Sequence, residues 1–129
     1  MHSFAGTKDE MLQLVELGPE ISVNGVCFRT DDQLDIVRQI RLDKLQLETD
    51  APWAEILLTD KILKYLQNAR SLPPSRKHNK FITSQMVKGR NESCTIERVA
   101  LIVAGLKGIP KEKVIEAAWD NSIRMFGLL

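Results

Sequence analysis

Asp50 closes the run Leu45-Gln46-Leu47-Glu48-Thr49-Asp50 and is followed at once by Ala51-Pro52-Trp53. The alternation before it reads as a short buried strand, so the carboxylate sits where a strand ends. An aspartate there either caps a turn or, where parallel strand ends converge on a ligand, serves as a metal ligand or general base. Glu48 is expected to support such a site from beside it rather than form it. His2 offers an imidazole suited to Zn²⁺, Mn²⁺ or another borderline divalent ion. Its ordinary reading is an exposed, inert side chain, and any partner must arrive from another strand. Arg90-Asn91-Glu92 precedes a helix start, closes a basic loop and offers three candidate substrate-binding residues. Arg90, with Lys88, can grip a phosphate; a plain surface charge run is the commoner explanation. His78, within Arg76-Lys77-His78-Asn79-Lys80, stands among cations and is a weak metal candidate.

These residues need elements to position them. Thr7 and Glu10 have the spacing of a reciprocal helix cap, followed by an apolar face through Met11, Leu14 and Val15 and a stop at Gly18-Pro19. Ile21 to Phe28 reads as a short strand with a glycine near its end. Asp31 or Asp32 is expected to cap a second helix carrying Leu34 and Val37. A second strand follows over Leu45 to Glu48. The order helix, strand, helix, strand with short links favours parallel strands covered by helices, the α/β class. Two strands alone make a poor parallel sheet, and a closed eight-stranded barrel takes roughly 250 residues. After Asp50, Ile62, Leu63 and Leu66 predict a helix ending near Arg70. Residues 71–94 form a long basic loop with interleaved apolar residues, a length that is usually functional or disordered. Thr95 is expected to cap a helix ended by Gly108, and Pro110 to open a final helix through Phe126.

The chain has 129 residues, enough for one domain with a core. Its 18 Lys+Arg against 17 Asp+Glu leave a net charge of +1, so contact with nucleic acid has to come from a local patch. There is no apolar stretch of membrane-spanning length and no basic-then-apolar leader, and no membrane partner is expected. Cys27 and Cys94 lie outside any metal or redox spacing and read as reduced thiols in a cytoplasmic or nuclear protein.

Four segments, in order, resemble the TatD family of metal-dependent deoxyribonucleases. Glu48-Thr49-Asp50-Ala51-Pro52-Trp53 is similar to its E-T-D-[AS]-P-[WY] segment, and His2-Ser3-Phe4-Ala5-Gly6-Thr7 to its H-[SC]-F-x-G-[ST] turn. Arg90-Asn91-Glu92 resembles its R-N-E-P, with Ser93 replacing the proline, and Asn121 to Phe126 its terminal N-[AST]-x-x-[LV]-F. The long basic loop is more like the eukaryotic branch. The resemblance implies a (β/α)₈ TIM-type barrel, of which residues 1–129 are an incomplete C-terminal portion holding about two strands. It implies a divalent metal (Mg, Mn or Zn), no other small-molecule cofactor, and 3′-to-5′ hydrolysis of DNA by the intact parent. His2 then matches a metal-ligand histidine after the sixth strand. Asp50 matches the aspartate after the eighth, which binds metal and positions the attacking water. The family's remaining ligands cannot be placed in this chain, which is therefore expected to be inactive alone.

Two other readings compete. A truncated, non-catalytic interaction module is one, since half a barrel leaves a strand edge and an apolar face uncovered. A helix-turn-helix DNA binder over residues 95–126 is the other. Its second helix carries Glu112, Glu116 and Asp120 beside Trp119, a poor face for phosphate.

Overall fold

Thr7 and Glu10 form the expected reciprocal cap: the Glu10 amide donates to Thr7 Oγ1 at 3.3 Å and the Thr7 amide to Glu10 Oε2 at 2.7 Å. They open α1 (Lys8–Glu16), which turns Met11 into the core. The computed structural model describes residues 1–128. After α1 the chain enters β1 (Ile21–Val23), shorter than the sequence predicts. Asn24 ends it, because its side-chain Oδ1 accepts from the Val26 amide at 2.9 Å and bends the chain into a 3₁₀ turn over Gly25–Phe28.

The next helix, α2 (Asp31–Gln39), is capped by Thr30 and Gln33 rather than by Asp31 or Asp32. Thr30 with Gln33 satisfies two backbone amides reciprocally, whereas Asp31 has the apolar Leu34 at that spacing. The two aspartates instead occupy the first turn, where the helix dipole favours negative charge. A 3₁₀ turn at Leu42–Lys44 then leads into β2 (Leu45–Leu47).

β1 and β2 pair in parallel, with Ile21 opposite Leu45 and Val23 opposite Leu47. Residues 1–4 run along the other edge of β1. Ser22 N–H donates to Met1 O at 2.9 Å, and Phe4 N–H donates to Ser22 O at 3.3 Å. Three segments therefore lie side by side, and their ends carry Ser3, Asn24 and Glu48. This is the α/β arrangement expected from the element order.

Past Asp50 the structure departs from the expected helix. Only α3 (Asp60–Leu63) is helical, and tight turns follow to Ala69. Those turns carry Tyr65 onto Gly105, where an added Cβ would lie 2.1 Å from the ring. The basic loop contains one short parallel pair, β3 (Ser75–Arg76) with β4 (Met86–Val87).

Two helices complete the chain, α4 (Ile96–Lys107) and α5 (Lys111–Phe126). Gly108 joins them with φ 64°, a left-handed conformation that glycine adopts freely. Thr95 stands at the N-cap of α4, yet its hydroxyl bonds Asn91 Oδ1 and Glu92 O, both at 2.9 Å, and accepts no helix amide. α5 packs on β2 and on the turn before it. Buried Asn121 donates through Nδ2 to Leu42 O and Leu45 O, both at 2.7 Å. That docking overturns the helix-turn-helix reading: the inner face of α5 is used by the sheet, and its exposed face carries Glu112, Glu116 and Asp120. No described helix is long and apolar enough to cross a membrane.

Candidate metal centre

The first segment and the chain that leaves β2 bring His2, Glu48 and Asp50 together. His2 Nδ1 lies 2.6 Å from Glu48 Oε2, and His2 Nε2 lies 3.4 Å from Asp50 Oδ1. His2 is the exposed member, while Glu48 and Asp50 are largely covered. The fold thus brings two carboxylates, from residues two positions apart, to the ring of His2.

Glu48 is built in from below. Its Oε1 accepts the Ser3 amide at 2.8 Å and the buried Asn24 Nδ2 at 3.0 Å. Asn24 also donates to Ser3 Oγ. Burial pushes the Glu48 carboxyl up, but hydrogen bonds from Ser22, His2 and the Ser3 amide outweigh it and hold the group below the usual glutamate range. An ionised Glu48 only accepts, so the proton between it and His2 resides on Nδ1. In a neutral ring that leaves the Nε2 lone pair facing Asp50. A carboxylate that fixes the tautomer and aim of an imidazole is the usual support of a metal-binding histidine.

Asp50 is held in an uncommon backbone conformation, φ 54°, and Ser3, beside His2, has φ 51°. For residues other than glycine this region costs on the order of 1–2 kcal/mol, and it concentrates at functional sites. The turn after Asp50 is tight: Trp53 N–H donates to Asp50 O at 2.8 Å, and the Ala51–Pro52 peptide is cis. On the far side, Gly25 fits closely under the segment after the turn, since a Cβ there would lie 2.1 Å from Ala54 O.

The donor set fits a divalent ion. Two ligands each about 2.1 Å from one ion and 3.4 Å apart subtend about 108°, an ordinary coordination angle. Imidazole nitrogen with carboxylate oxygen suits Zn²⁺ or Mn²⁺. No group of three or more histidine, cysteine or acidic side chains within metal reach occurs among the described residues.

The remaining candidates lie elsewhere. Asn91 is buried, and its side chain is engaged inside the protein: Nδ2 donates to Thr49 O at 2.8 Å, and Oδ1 accepts from Thr95 and from the Glu92 amide. Arg90 is exposed, with Nε 3.8 Å from Glu92 Oε1. His78 lies exposed in a 3₁₀ turn of the basic loop. Cys27 is buried and Cys94 exposed, both as free thiols. Sequence reasoning missed Ser3 and Asn24. Ser3 occupies the [SC] position of the His2 segment without any sign of what it touches, and Asn24-Gly25, directly after an apolar run, reads only as a turn.

A sequence model of the family described as TatD related DNase matches residues 1–127. A fission yeast (Schizosaccharomyces pombe) protein named Deoxyribonuclease Tat-D is 42% identical over 97% of this chain. The crystal structure of an uncharacterized amidohydrolase from Saccharomyces cerevisiae superposes with a TM-score of 0.87 at 36% identity, covering 96% of this chain. A hydrolase TatD family protein from Entamoeba histolytica gives 0.86 at 30% identity over 97%. The chain spans 40% of the length of the fission yeast relative, and 38% and 40% of the two crystallised chains. Matched along nearly its whole length, the chain belongs to the TatD family of deoxyribonuclease-related hydrolases.

Proposed function

We propose that His2 and Asp50 are two ligands of a divalent-metal centre that hydrolyses DNA phosphodiester bonds, within a (β/α)₈ barrel of which residues 1–129 are the C-terminal portion. The observation that carries this reading is the aim of His2 Nε2 at Asp50, enforced by ionised Glu48 on Nδ1. The name of the fission yeast relative supplies the substrate class. Polarity from the 3′ end, the choice among Mg²⁺, Mn²⁺ and Zn²⁺, and a cytoplasmic or nuclear location belong to the proposal.

When bound, the metal would supply an activated water near neutral pH and counter the charge that develops on phosphate. The chain's own residues do the rest. Glu48 keeps the His2 ring from rotating and keeps its proton on Nδ1. Asp50, fixed by its turn, presents an acceptor to the attacking water. Arg90 and Lys88, on the exposed loop, meet the phosphodiester backbone as cations. Two donors fall short of the three protein ligands usual at a hydrolytic metal, so the 129-residue chain alone is expected to be inactive.

The test is a graft. These 129 residues replace the matching segment of the fission yeast relative, and degradation of single-stranded DNA is followed with Mg²⁺ or Mn²⁺. A working graft that loses activity on Asp50→Ala is expected. A folded graft without nuclease activity overturns the proposal. Robust cleavage by the 129-residue chain alone, lost on Asp50→Ala, overturns the claim that it supplies only part of the site.

A further inference from the structure

We infer that Asn91 is a positioning residue that fixes the left-handed conformation of Asp50 by bracketing it through backbone bonds on both sides. The inference rests on the reading of Asp50 as a ligand only for its functional consequence, since the geometry stands without it. Asn91 Nδ2 donates to the carbonyl of Thr49, immediately before Asp50, at 2.8 Å. The Asn91 amide donates to the carbonyl of Pro52, two residues after Asp50, at 3.0 Å. One residue, 42 positions downstream of Thr49, therefore pins both shoulders of the turn.

Asn91 is itself fixed. Its Oδ1 accepts the Thr95 hydroxyl at 2.9 Å and the Glu92 amide at 3.0 Å, so a flip of the amide would lose the bonds to Thr49 O and from the Glu92 amide. Asn91 is 2% exposed and Thr95 5%. The Thr95–Asn91 bond is buried and the bonds to Thr49 and from Glu92 are partly buried, so water competes poorly for them and they constrain the geometry. The Thr95 hydroxyl is accordingly spent on Asn91 and Glu92 rather than on capping α4. The turn has little else to hold it: Ala51 N–H reaches Thr49 Oγ1 at 3.3 Å, and Trp53 N–H donates to Asp50 O. Aspartate does not favour φ 54° unaided. The conformation that aims its carboxylate is imposed from Asn91 and, through Thr95, from the start of α4.

Amide hydrogen exchange on the 129-residue chain tests this. Asn91→Asp keeps both acceptor bonds and removes the donor to Thr49. It should speed exchange of the Trp53 amide by at least about 10-fold while the Val37 and Ile102 amides change far less. Thr95→Val should give a smaller loss at the same amide, and Thr95→Ser should restore it. Should Asn91→Asp not fold, the Thr95 pair decides by the same readout. Equal acceleration at Trp53, Val37 and Ile102, or none at Trp53, overturns the inference. Mn²⁺ titration of the graft into the fission yeast relative separates the two readings: Asn91→Asp should weaken binding by about 10-fold, as loss of an outer support does. A graft that binds no Mn²⁺ counts against the metal reading, while exchange at Trp53 in the 129-residue chain still decides the role of Asn91.

Discussion

Glu48 holds the His2 ring by Nδ1 at 2.6 Å, and this one bond decides that Nε2 faces Asp50. Glu48→Gln replaces an obligatory acceptor with an amide whose nitrogen can face Nδ1. The ring then loses its fixed tautomer. Mn²⁺ affinity, read by titration, should fall by about 10–100-fold while the fold is retained. Unchanged affinity would remove Glu48 from the site.

Asp50→Asn separates stability from chemistry. Asparagine tolerates a positive φ at least as well as aspartate, so the unfolding free energy should stay within about 0.5 kcal/mol of the original. The charge and the ligand are gone, and Mn²⁺ binding should become undetectable. Denaturant unfolding and metal titration on the same preparation check both halves. A variant that binds metal normally would strip Asp50 of its assigned role.

Gly25→Ala places a Cβ 2.1 Å from Ala54 O and 3.0 Å from Ile56 N. Backbone cannot yield as a flexible side chain does, so the segment after the Asp50 turn must shift. A loss of about 1–3 kcal/mol is expected by urea denaturation. Weakened metal binding should accompany it, because the displaced segment is continuous with the turn. Wild-type stability would remove Gly25 from the support of the Asp50 turn.

Lys107 gives a pH signature. Burial pushes its ammonium down from the ordinary 10.5 to about 8, although Nζ still donates to Arg38 O at 3.1 Å and to Ile40 O. Between about pH 8 and 10.5 the unfolded chain holds the proton that the folded chain has released. Stability contributed by this group must then rise with pH across that window. Below about pH 8 both states are protonated and the burial penalty is fully present. Relative to Lys107→Met, the wild type should gain no more than about 1 kcal/mol between pH 7.5 and 10, since solvent screens a partly exposed amine. Paired urea titrations at the two pH values measure it. A constant difference would mean that Lys107 titrates normally.

Much of this was written locally. Thr7 with Glu10, the alternation at Ile21 to Val23 and Leu45 to Leu47, the stop at Gly108 and the long α5 each follow from side chains within a few residues of one another. Local physics of caps and periodicity settles such features, and the four family-like segments placed His2 and Asp50 as ligand candidates. The expected helix from Ile62 to Arg70 fails for the opposite reason. Its apolar pattern is compatible with a helix, but Tyr65 has to seat on Gly105, 40 residues away. Tertiary packing overrides a weak local preference.

The sequence by itself determined the α/β order and the family, and it singled out His2 and Asp50 as candidate donors, because these depend on residue type and short-range pattern. Only the tertiary structure decided how the donors are aimed. Glu48 on Nδ1 of His2, Asn24 beneath Glu48 and Asn91 across the Asp50 turn are contacts between residues 24 to 46 positions apart. Hydrogen bonds at that separation leave no periodicity in the chain. They exist only once parallel segments and the start of α4 have been brought to the same end of the sheet.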